Sequence, residues 1–309
     1  MAPEAVCCAT VIGRPHPHIF LAGLLAAGAC TTADDVSAEA EETSRVRLGR
    51  VEVDVVAARS VDGPEADAPE ATVTASARFV EIVDDDAGHL SAWLGLGDDP
   101  WTAGVADGCR RVVDGVPTFE DLDAEVFGGE AVFLDAGDLE IQVGDARFEV
   151  PVHLVPDLLP FVSGVEYVLG AHAVPVDGGA MRVEVAGGAA DEGVEPFRFA
   201  VAVEPVRDLV VLPGDDGALW LAWARPTREG GRVFVEIEDA SSVEEGRYLC
   251  TFADDGDARI DAEVLADLDR EGSWSVSVAR LSRSSLDGPD EHTEFVVVTK
   301  TTATVDFGG

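Results

Sequence analysis

From Arg45 onward the apolar residues recur at every second position, and this period of two restricts the chain to β-structure with one face turned inward. Val46, Leu48, Val51, Val53 and Val55 mark either a strand pair or one bulged strand, and Val73, Ala75, Ala77 and Phe79 alternate with Thr72, Thr74, Ser76 and Arg78. Phe197, Phe199, Val201 and Val203 repeat the pattern, and Leu219, Leu221 and Trp223 share a face in the next clear strand. Ala131–Leu134 and Leu139–Val143, separated by Asp135-Ala-Gly-Asp138, read as a β-hairpin. Short strands at regular intervals predict an all-β chain with two β-sandwich-like domains. Glu204-Pro205 marks their junction, giving an N-terminal domain over residues 45–204 and a C-terminal one over 205–309. The one helical pattern in the C-terminal half is short: Asp261 can cap a turn or two in which Val264, Leu265 and Leu268 fall together.

Upstream of the strands the character changes. Ile19 to Cys30 is uncharged and apolar, shorter than the roughly 20 residues needed to span a bilayer, and it ends in small residues. That composition is a secretory signal, removed on export. Asp34, Asp35, Glu39, Glu41 and Glu42 then stand among small residues that cannot build a core, so residues 30–44 read as a flexible acidic tether. The signal's last residues, Ala27-Gly28-Ala29-Cys30, resemble the lipobox of bacterial lipoproteins, with Ala27 where that family usually has Leu. The resemblance implies a signal over residues 1–29 and a Cys30 that is diacylated as the mature N-terminus. Thr31 is not the Asp that favours inner-membrane retention in such proteins, so it also implies an outer-membrane or cell-surface address. The bland alternative is plain secretion with cleavage near Ala29.

The strands after Glu204 carry two further likenesses. A Pro-led first strand followed by one ending in Trp223 resembles the start of a fibronectin type III or immunoglobulin-like domain. Taken with the lipobox, the piece Leu134-Asp-Ala-Gly-Asp-Leu139 and Tyr248-Leu-Cys-Thr-Phe-Ala-Asp-Asp-Gly256, the layout is similar to a group of uncharacterised bacterial surface lipoproteins. That resemblance implies an address and an architecture, and no activity.

Charge narrows the partners. Against 21 basic residues stand 60 acidic ones, a formal net charge of −39. Nucleic acid is thereby excluded, since its binders need a positive footprint, and an anionic membrane surface would repel the chain unless a lipid held it there. Carboxylates this dense raise calcium as a ligand, with Asp254, Asp255, Asp257 and Asp261 the strongest candidates and Asp84-Asp-Asp86 the next. Asp-Gly pairs are equally what tight turns require. Trp93 and Trp101, in an irregular acidic stretch, could stack on a glycan or could anchor their loop to a sheet. Cys109 and Cys250 are the cysteines left after the signal, and an exported compartment permits a disulfide between them. Read singly, Cys250 lies on a core strand beside Tyr248 and Phe252 as a buried thiol would, and Cys109 lies in a loop.

Catalytic patterns are missing from the sequence. There is no Gly-x-Ser-x-Gly, the mature histidines His89, His153, His172 and His292 are isolated, and Gly187-Gly188 and Gly230-Gly231 open no phosphate loop. His153, in a strand-like context, reads as a partly buried scaffold residue. No cofactor is implied. The expectation is a non-catalytic, lipid-anchored envelope protein displaying β-domains for binding or structural roles, its partners the membrane and a surface protein or glycan. The alternatives are an exported polysaccharide-binding or hydrolytic protein and a calcium-dependent adhesive module.

Overall fold

Pairing runs without a register shift along the whole segment, so what could have been a pair or a bulged strand is one strand, β1 (Arg45–Ala58), in which Val51, Val53 and Val55 are buried in alternation. The computed structural model describes residues 45–58, 70–83, 108–112, 131–155, 162–175, 179–188, 193–227, 230–239, 247–266, 272–288 and 291–306. These are all-β, with no helix among them. β1 pairs antiparallel with β2 (Glu70–Val83) and, on its other side, parallel with β17 (Glu291–Asp306). Gly49 sits where these three strands meet: a Cβ there would lie 2.6 Å from Thr293 Oγ1 and 2.8 Å from Phe79 Cδ1. Any larger residue would push the central strands apart.

These three are the middle of a ten-stranded sheet. It runs from β3 (Gly108–Val112) through β14 (Arg247–Ala253), β13 (Arg232–Asp239), β16 (Ser273–Asp287), β17, β1, β2, β4 (Ala131–Phe133) and β8 (Val162–Pro175) to β7 (Val152–Val155). Two smaller sheets cover the same face. One has the order β10 (Phe197–Val203), β9 (Gly179–Val185), β5 (Leu139–Val143), β6 (Ala146–Glu149); the other is β11 (Val210–Pro213), β12 (Leu219–Ala222), β15 (Asp257–Ile260). The first encloses a core of Val51, Val53, Phe79, Ile141, Met181 and Phe199 with their neighbours, and the second a core that includes Leu219, Leu221, Trp223, Val235 and Trp274. β17 feeds both, with Phe295 and Val297 in the first core and Ala303 and Val305 in the second. Each layer pair buries alternate residues of its strands, which is the hydrophobic burial that the period of two specifies.

The opposite face of the long sheet holds a smaller apolar cluster of Phe234, Ala279, Val296 and Val298. Beside it lies Glu236, 3% exposed, which accepts hydrogen bonds from Arg247 Nη1 at 2.8 Å and from the ammonium of Lys300, the chain's only lysine. Burial alone favours the neutral acid, but the charges and hydrogen bonds of Lys300 and Arg247 outweigh it and hold the Glu236 carboxyl below the ordinary glutamate value. Glu238 shifts the other way, raised by burial and then by the charge on Glu236.

Two sequence expectations change here. Asp135–Asp138 does not close a hairpin: β4 belongs to the long sheet and β5 to the four-stranded one, so the turn carries the chain between layers. Distant groups hold it open. Leu134 N donates to Phe79 O at 2.7 Å, and the Tyr167 hydroxyl donates to Asp135 Oδ1 at 2.9 Å while accepting from Ala136 N at 2.8 Å. Gly137, at φ +68°, supplies the left-handed step. The second change is at Asp261–Ala266, which forms hydrogen-bonded turns instead of a helix; Val264 N reaches Asp261 O at 3.0 Å, Leu265 is buried in the core and Val264 only partly, and Leu268 lies outside the described residues.

Tyr167→Phe is expected to destabilise the fold by about 1–3 kcal/mol, because it leaves the buried Ala136 N–H without an acceptor. Burial, and next the adjacent Asp135, push the phenol's pKa up to about 12, against the opposing Ala136 N–H. A folded pKa above the unfolded value of about 10 gives stability that is complete below pH 10 and lost as pH rises toward 12. Chemical denaturation between pH 9 and 12 checks this: the wild type should lose stability over that window more steeply than Tyr167→Phe.

Candidate functional site

Where the chain passes from the first core to the second, Val203 is the last buried residue of one and Val206 the first of the other. The segment between is tied down by side chains of the long sheet. Thr301 Oγ1 donates to Val206 O at 2.7 Å and Ser282 Oγ to Ala202 O at 3.1 Å. The first of these bonds satisfies buried Thr301, which shares its face of β17 with buried Thr293 and Thr299 as well as with apolar residues.

Beneath the crossing lies Arg280 of β16. Its Nε donates to Asp254 Oδ2 at 2.7 Å and its Nη2 to Asp254 Oδ1 at 3.1 Å, a bidentate pair whose side chains are 9% and 3% exposed. Nη1 donates to Pro205 O and Nη2 also to Ala224 O, both at 2.9 Å. Trp223 Nε1 donates to Asp254 Oδ1 at 2.8 Å. One guanidinium therefore joins the crossing segment, the exit of β12 and the turn after β14, and the carboxylate that balances it is fixed by an indole.

Above this lock opens a cleft of about 930 Å³. Among the described residues Arg207, Arg225, Arg232 and Arg283 line it with Arg280, against two carboxylates, Glu204 and Asp254. Both carboxylates are engaged: Asp254 by Arg280, and Glu204 by Thr227, whose N and Oγ1 donate to its two oxygens at 2.7 and 2.9 Å. Arg225 lies along Gly256, where a Cβ would come within 2.7 Å of its Cγ, and makes no ion pair among the described residues. Arg283 shares Glu294 at 3.1 Å. The chemistry this lining offers is hydrogen-bond donation and positive charge, aimed at an oxyanion.

The four calcium candidates stand in different surroundings. Asp254 is the buried partner of Arg280, and Asp261 pairs with Arg259 at 2.9 Å, while Asp255 and Asp257 are exposed. Among the described residues no group of three or more His, Cys, Asp or Glu could hold a metal ion. The Asp254-Asp-Gly256 turn instead carries the chain from β14 in the long sheet to β15 in the three-stranded one, with Gly256 at φ +101°. Cys109 and Cys250 stand directly opposite each other on β3 and β14 and form a disulfide; Cys109 is a strand residue, not a loop residue. Cys30, Trp93, Trp101, His89 and Asp84-Asp-Asp86 lie outside the described residues. His153 is exposed on the edge strand β7, not partly buried, because that strand turns both Val152 and Leu154 to solvent as well. His172 rests against Phe148, and His292 pairs with Asp287 at 2.6 Å. Trp220 is 47% exposed on the three-stranded sheet with the Arg259 guanidinium 5.2 Å from its ring centroid, so this indole is already stacked.

The arginine lining is hidden in the sequence because its members are scattered between residues 207 and 283, on four separate segments. The one available signal is their number in a chain so poor in positive charge. No known protein-family model matches this sequence, and no curated protein matches it.

Proposed function

We propose that this chain is a non-catalytic, exported envelope protein, anchored through a lipid on Cys30 and displaying its β-sandwich units for binding. The observation that carries the reading is the Cys109–Cys250 disulfide, which links strands 141 residues apart. Such bonds persist in oxidising compartments and are rare in the cytosol. The engagement of Glu204 and Asp254 in structural hydrogen bonds supports a binding role over a hydrolytic one, since a general acid or base needs a carboxyl free to exchange a proton. β11–β17 place three strands against four, the layout of an immunoglobulin or fibronectin type III sandwich, a family of folds common in displayed modules.

The anchor is tested by expressing the full chain in a bacterium with a lipoprotein pathway, isolating the mature protein and measuring the mass of its N-terminal peptide. The expected result is a diacylated Cys30 at the N-terminus and a membrane-bound protein that becomes soluble in Cys30→Ser. A wild-type chain found soluble, with an unmodified terminus, would sink the reading.

A further inference from the structure

We propose that the cleft above the Arg280–Asp254 lock is a binding site for a compact, multivalent oxyanion, a small polycarboxylate or phosphate ester held by Arg207, Arg225, Arg232 and Arg283. The inference rests on the binding role proposed above and is independent of the anchor.

The first argument is charge. Among the described residues the lining holds five arginines and two carboxylates, with Glu294 paired to Arg283 beside it, in a chain whose formal net charge is −39. Concentrating about a quarter of the 21 basic residues in one cleft sets the local field against the global one. At physiological ionic strength charges act over roughly 8 Å, so a ligand seated among the arginines feels them more than the distant acids. The same range limits the ligand's size. A long polyanion leaving the cleft would meet the acidic surface, whereas a compact one stays within reach of the rim.

The second argument is construction. Arg280 has all three guanidinium nitrogens engaged below, so it serves as a positioning residue: it fixes the segments that bear Arg207 and Arg225. Those rim residues are exposed, as are Arg232 and Arg283. An exposed ion pair such as Arg283–Glu294 is worth under about 1 kcal/mol, so a rim guanidinium can turn to a ligand at small cost. The remaining lining mixes small and polar residues such as Ala200, Thr227, Ser282 and Ser284 with aliphatic ones such as Val201 and Leu281, and among the described residues it has no aromatic side chain. It offers no stacking platform for a neutral sugar, and forks that match carboxylate and phosphate geometry. A cleft of about 930 Å³ is within the range of small-molecule sites.

The test uses the full chain in buffers of equal ionic strength made with sodium chloride, sodium citrate or sodium phosphate, read by thermal unfolding and by isothermal titration calorimetry. Citrate, phosphate or both should raise the melting temperature above the chloride value and give saturable binding; which one does so separates a carboxylate site from a phosphate site. Arg225→Ala should weaken that binding at least tenfold and Arg225→Ala/Arg232→Ala abolish it, with Arg225→Lys intermediate. Arg147→Ala, on β6 outside the cleft, should bind like wild type. Each variant's melting temperature in chloride reports whether it is folded. Equal melting temperatures in all three salts, or folded Arg225→Ala/Arg232→Ala that binds like wild type, would overturn the proposal and leave the anchor standing.

Discussion

Arg280→Met is expected to lower the unfolding free energy by about 3–5 kcal/mol, the usual cost of stranding one member of a buried ion pair. The reason is specific to what the guanidinium holds. Asp254, 3% exposed at its side chain, would keep the Trp223 Nε1 donor but lose its balancing charge, and the carbonyls of Pro205 and Ala224 would each lose a donor. Arg280→Met/Asp254→Asn should recover part of the loss, because asparagine removes the stranded charge and can still accept from Trp223. Denaturant unfolding of wild type, single and double variants forms the cycle that isolates the pair. A single-variant loss below about 1 kcal/mol would mean that solvent reaches the pair and that it does not hold the crossing segment.

Cys109→Ala/Cys250→Ala should cost about 2–5 kcal/mol, near the upper part of the range for a link that closes so long a loop. With about two to four degrees lost per kcal/mol in a unit of this size, the melting temperature should drop by roughly 4–20 °C. β3 is a strand of five residues whose ladder partner among the described residues is β14 alone, and the covalent bond and that ladder tie it to the sheet. Treating the wild type with reductant should reproduce the loss, and the double variant should then be insensitive to reductant. A double variant with wild-type stability would show that β3 contributes no more than its ladder.

What could be read from the sequence was what repeats locally. Phe197 to Val203 alternates in sequence and alternates in burial, because a strand with one buried face has no other solution. Leu219, Leu221 and Trp223 face the core together for the same reason. Pairing was a different matter. Asp135–Asp138 has the composition of a hairpin, but Phe79 and Tyr167, far away in sequence, bond to the loop and draw its two flanks into separate sheets. Asp254-Asp-Gly-Asp257 has the composition of either a turn or a calcium loop, and nothing local in sequence marks that its first aspartate is the partner of the distant Arg280. Asp261–Ala266 carries the start of a helical spacing over too few residues to offset the cost of nucleating a helix, and forms turns. The cleft was least legible, since no period or motif joins Arg207 to Arg283.

The parallel pairing of β1 with β17 sets an order on folding. The two strands at the middle of the ten-stranded sheet are the first and the last of the described fold. β17 also supplies Phe295 and Val297 to one core and Ala303 and Val305 to the other. Neither core can close while the C-terminal strand is still being synthesised, and contacts so distant in sequence form slowly. A nascent chain of this design stays open until its last strand is made.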